Sequence, residues 1–72
     1  MPERPAEMVQ IAERIKTARE AADLSQHELA DRAGVSRPSV ARIEAGEDVN
    51  TATLRKITEA LGLSVQVRET RT

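Results

Sequence analysis

An all-α fold is what these 72 residues predict: a bundle of four to five short helices, followed by one short β-strand. Three observations carry that expectation. Apolar residues recur at spacings of three and four through most of the chain, as they do in helices with one buried face. Local start and stop signals separate those stretches, and each of the three glycines follows the end of an apolar run. Only the last stretch, "LSVQVRE", changes to an alternation of period two.

The elements follow in order. Residues 1–5, "MPERP", hold two prolines and read as a flexible lead-in. A first helix is predicted over about 6–22, with Met8, Ile11, Ala12, Ile15, Ala18, Arg19 and Ala22 on one stripe. "SQHE" at 25–28 is a capping box, in which the Ser25 hydroxyl accepts from the Glu28 N–H and the Glu28 carboxylate from the Ser25 N–H. The second helix, "QHELADRA", points Leu29 and Ala30 inward and ends at Gly34, where the chain needs a left-handed residue. Ser36 caps a third helix. Pro38 falls in its first turn, where backbone N–H groups lack intrahelical partners, so the proline is compatible with a helix start. Val40 and Ile43 form the inner face and Gly46 stops the helix. After the polar "EDVNT", Asn50 or Thr51 caps a fourth helix whose stripe is Leu54, Ile57, Thr58 and Leu61, closed by Gly62. The expected plan is thus a lead-in over 1–5, a helical domain over 6–62 and a strand with its tail over 63–72.

Composition narrows the functional classes. A single small domain of this length buries little surface and is marginal without a staple or a partner. Cysteine is absent, which removes disulfides, zinc ribbons and thiol chemistry. The start of the chain has no apolar leader and no run approaches a membrane span, so a cytoplasmic location without membrane contact is expected. The chain has no Phe, Tyr or Trp, which argues against platforms that stack the bases of single strands. A net charge of -1 leaves duplex DNA open, because a local basic face suffices. Residues 35–43 provide one, with Arg37 and Arg42 and no acid.

Two short helices joined by "AGVS" describe a helix-turn-helix, whose second helix enters the DNA major groove. Ala30 is small where the helices approach, Gly34 turns, Val35 plugs the core and Ser36 caps. The run "LSQHELADRAGVSRPSVARIEAG" resembles the Cro and phage-repressor type of helix-turn-helix, the Xre family, over about residues 10–63. That resemblance implies a lambda-repressor-like bundle binding a palindromic operator in double-stranded DNA as a homodimer, most often as a repressor. It assigns DNA binding to Gln26, Ser36, Arg37, Pro38, Ser39 and Arg42, with Gln26 on phosphate, and a structural ion pair to Arg19 and Glu44.

Residue chemistry agrees. Arg37 and Arg42 project about 140° apart on a helix. Either can read guanine or grip phosphate, although alone they would suit a solvated helix face. Ser39 can bond to bases or backbone, while Pro38 offers only apolar contact, for example to a thymine methyl. The family often carries Gln at that position, so base reading here leans on the two arginines. His27, Asn50, Thr51, Arg55 and Lys56 are further candidate phosphate contacts. His27 has no second ligand or nucleophile beside it, and Glu44, Glu47 and Asp48 lack calcium-loop spacing. No catalytic residue, metal or cofactor is expected, and the chain does not read as an enzyme.

The tail sets Leu63, Val65 and Val67 against Ser64, Gln66 and Arg68. A lone strand needs a partner for its backbone, and a two-fold copy would supply it, making 63–67 a dimerisation strand. "TLRKITEALGLSVQV" is similar to antitoxins of the HipB kind, which close a dimer in this way and repress their own operon. The alternative function is therefore an antitoxin that binds and neutralises a cognate protein toxin.

Overall fold

The computed structural model describes residues 6–63, which form four helices: α1 (Ala6–Ala21), α2 (Gln26–Ala33), α3 (Arg37–Glu44) and α4 (Thr51–Ala60). No strand occurs among the described residues, and the fold is all-α. The lead-in 1–5 lies outside them, as does the expected strand beyond Leu63, with Val65 and Val67.

The helices start where short-range chemistry places them. Ser25 is extended (φ -76°, ψ 168°), its Oγ accepts from the Glu28 N–H at 3.0 Å, and Glu28 Oε1 accepts from the Ser25 N–H at 2.8 Å. The Ser36 Oγ accepts from the Ser39 N–H at 3.3 Å, with Pro38 inside the first turn. At α4 the cap is Asn50 rather than Thr51, its Oδ1 accepting from the Thr53 N–H at 2.8 Å.

All four helices end alike. After α2 the chain turns through Gly34 (φ 70°), and the Val35 N–H reaches back to the Ala30 carbonyl at 3.0 Å. The same six-residue closure joins Leu24 to Arg19 (3.1 Å), Glu47 to Arg42 (3.0 Å) and Leu63 to Thr58 (2.8 Å). Gly46 and Gly62 make the last two turns, but Asp23 makes the first at φ 61°, a conformation its short polar side chain tolerates better than most. This turn corrects the expected span of the first helix. α1 stops at Ala21, and Ala22 is exposed instead of completing the buried stripe.

Ile15, Leu29, Ala30, Val40, Ile43, Leu54 and Ile57 form one buried cluster. Met8, Ile11, Val35, Val49, Leu61 and Leu63 pack around it. α2 lies against α3 and α4, while α1 lies against α3, so α3 keeps one face in the core and has another left over. Thr58 is buried but satisfied, its Oγ1 donating to the Arg55 carbonyl at 3.0 Å. Among the described residues no helix is long and apolar enough to cross a membrane.

The capping box also sets an acid limit. The Ser25 N–H, and then its hydroxyl, hold the Glu28 carboxyl below the usual carboxylate range. A carboxyl lowered on folding stabilises in full above its unfolded value near 4.5, and that contribution disappears as pH falls through the lower folded value. Glu28→Gln should therefore melt below the wild type at neutral pH, with the gap narrowing below about pH 4. Melts showing a constant gap would remove this charge effect.

Candidate nucleic-acid interface

Val40 and Ile43 are fully buried, which fixes how α3 is rotated. At about 100° per residue, Pro38, Ala41 and Arg42 then lie on the side away from the core, with Arg37 on the flank. Arg37, Pro38 and Arg42 are exposed, and Ala41 is half-buried. The structure thus brings together three of the α3 residues expected to read DNA. Ser36 and Ser39 are engaged with each other: beyond the capping bond, their hydroxyls lie 2.9 Å apart.

The one acid of α3 is turned away from this face. Glu44 Oε2 accepts from Arg19 Nε at 2.7 Å, and Oε1 accepts from Arg19 Nη2 at 3.1 Å and from Gln26 Nε2 at 3.2 Å. Arg19 Nη1 donates to the Leu24 carbonyl at 2.7 Å. The guanidinium fork matches the carboxylate, with side-chain exposures of 12% for Arg19 and 4% for Glu44. Hydrogen bonding to Glu44 raises the Arg19 pKa above its ordinary value, outweighing the opposing effect of burial. The structure places Arg19 against Glu44, and the cluster ties the end of α1, the start of α2 and the end of α3 into one unit.

Two partnerships were missed in reading the sequence. Gln26, expected on phosphate, is half-buried and donates to Glu44, 18 residues away. Arg42 meets Glu47 from the following loop, with Nε and Oε1 3.5 Å apart. No periodicity joins Gln26 to Glu44. The second pair had a usable signal: a helix closed at Gly46 folds residue 47 back onto residue 42.

The remaining candidates are scattered over other elements. His27 is exposed on α2, its Nε2 3.6 Å from Asp31 Oδ2 one turn on. Asn50 is occupied as a cap, while Thr51, Arg55 and Lys56 are exposed on α4. Leu63 closes α4 and packs on the core of its own chain. The α3 face therefore presents two guanidinium groups, a proline ring and an alanine methyl. That set suits guanine edges, phosphates and thymine methyls.

A family model described as Helix-turn-helix (HTH_3) matches residues 15–67, which include all of α2, α3 and α4. No curated protein matches the chain. Among solved structures, a chain from "Structure of HipA-HipB-O2-O3 complex" aligns with a TM-score of 0.76 at 24% identity, covering 97% of this chain and 100% of that one. A chain described as "MDT Protein" aligns with the same TM-score of 0.76 at 22% identity, again covering 97% and 100%. At these identities the likeness is one of fold.

Proposed function

The chain belongs to the Helix-turn-helix family, matched over residues 15–67, and from that premise we propose that it is a sequence-specific duplex-DNA-binding repressor. It binds a palindromic operator as a homodimer, with α3 in the major groove. The observation that supports this most is the α3 face itself. Arg37, Pro38 and Arg42 stand exposed on it, while the helix's own carboxylate is taken up by Arg19 and Gln26. Arg37 and Arg42 read base edges, with Ser39 contributing where its hydroxyl can leave Ser36. Thr51, Arg55, Lys56, His27 and Gln26 position the protein on phosphates. Selection of duplexes from a random pool tests the reading. Enrichment of inverted repeats with half-sites about one helical turn apart is expected, and a pool that never enriches would overturn it.

Dimerisation is assigned to the segment beyond α4, with Val65 and Val67 paired to their two-fold copies. Because Leu63 closes α4, the cleanest truncation removes residues 64–72 and keeps that closure. The shortened chain should sediment as a monomer with its helical content intact. A dimer that survives truncation removes the strand from the interface.

A second reading, an antitoxin that also neutralises a protein toxin, is favoured by the end-to-end likeness to a chain of the HipA-HipB-O2-O3 complex. It requires a toxin gene beside this one and a product that co-purifies with the chain. A genomic neighbourhood without such a gene would count decisively against it.

A further inference from the structure

Arg42 is the outermost cation of α3, and its neighbour is an acid that the backbone puts there. The Glu47 N–H closes α3 onto the Arg42 carbonyl at 3.0 Å, which fixes the Glu47 backbone one turn from the Arg42 side chain. Glu47 Oε1 then lies 3.5 Å from Arg42 Nε, with the two side chains 40% and 62% exposed. The contact is at Nε, the inner edge of the guanidinium. The outer edge, carrying Nη1 and Nη2, remains available for a two-bond fork.

We propose that Glu47 is a specificity-determining positioning residue: it buttresses Arg42 for bidentate reading of a guanine and reduces that arginine's attraction to phosphates in general. The inference rests on the DNA-binding reading above. Two physical effects act in opposite directions on the two kinds of DNA. On the right sequence, the guanine O6 and N7 need a guanidinium held in one plane, and a carboxylate at Nε restricts the rotation that would otherwise be lost on binding. On unrelated sequence, affinity is electrostatic and scales with the number of phosphates neutralised. There, a carboxylate beside Arg42 offsets part of the attraction that its charge adds. Glu44 cannot play this part, because its carboxylate is buried against Arg19 and Gln26.

The test uses the full chain, a duplex enriched from the random pool, and a scrambled duplex of equal composition. Glu47→Ala should weaken the enriched duplex several-fold while tightening the scrambled one, so that their ratio falls roughly tenfold. The salt dependence on the scrambled duplex should steepen by about one phosphate's worth. Glu47→Gln, which keeps the side-chain length, should show the same steepening and guards against a folding defect in the alanine variant. Asp48→Ala, removing an adjacent charge, should shift both duplexes equally, and in an Arg42→Ala background Glu47→Ala should leave the ratio unchanged. If Glu47→Ala instead behaves like Asp48→Ala, the buttress is wrong although the protein binds DNA. If no duplex is ever enriched, the DNA-binding reading fails first and takes this inference with it.

Discussion

Replacing Arg19 with alanine is expected to lower stability by about 2–3 kcal/mol, a fall in melting midpoint of roughly 10–20 °C for a domain of this size. The loss comes from what is left behind. Glu44, with 4% of its side chain exposed, would keep only the Gln26 amide as a side-chain donor, and the Leu24 carbonyl would lose its guanidinium donor. A charge left with too few partners costs more than the intact pair contributes, so the double variant Arg19→Ala/Glu44→Ala should be less destabilised than the single losses sum to. Arg19→Lys keeps the charge but not the fork and should fall between. Thermal melts of the wild type, both single alanine variants, the double variant and Arg19→Lys decide the matter. A change below about 0.5 kcal/mol on Arg19→Ala would mean that solvent screens the cluster as it does surface pairs.

Arg42→Ala should weaken binding to an enriched duplex by about 1–3 kcal/mol and relax selection at a single base position. Its side chain is 62% exposed and outside the core cluster, so the melting midpoint should barely move. The scrambled duplex gives the sharper contrast. Arg42→Ala leaves the Glu47 carboxylate on the face, so the scrambled duplex should weaken by about one charge's worth and the enriched duplex by more, whereas Arg37→Ala should weaken both duplexes. A mobility-shift titration of Arg42→Ala that overlays the wild type would take Arg42 out of the interface.

What was legible in the sequence was local. The Ser25–Glu28 box, the Gly34 turn and the Ser36 cap with Pro38 behind it act within a few residues, and each appears where its chemistry puts it. The inward stripes of α2, α3 and α4 were equally legible, because Leu29, Ala30, Val40, Ile43, Leu54, Ile57 and Thr58 keep the helical period. Ala22 failed because the period says nothing of a non-glycine residue, Asp23, entering the left-handed region. For Gln26 the sequence hid a partner, for a different reason. Its partner Glu44 is placed by the packing of α3 on α1 and α2, and a half-buried amide takes the nearest acceptor whatever role it has at an exposed helix start. Arg37 and Arg42 were visible as charges, but the Glu47 contact that distinguishes them depends on how α3 closes.

The Arg19–Glu44 bond has a consequence in time as well as in energy. α2 and α3 pack on each other across a link of three residues, so the entropy of bringing them together is small and their contact can form early. Arg19 and Glu44 are 25 residues apart, and their fork needs both α1 and α3 already in place. A contact that forms after the folding barrier leaves the forward rate alone and slows the reverse. In stopped-flow measurements, Arg19→Ala should therefore refold at nearly the wild-type rate and unfold much faster, so that the ion pair behaves as a latch on the finished bundle.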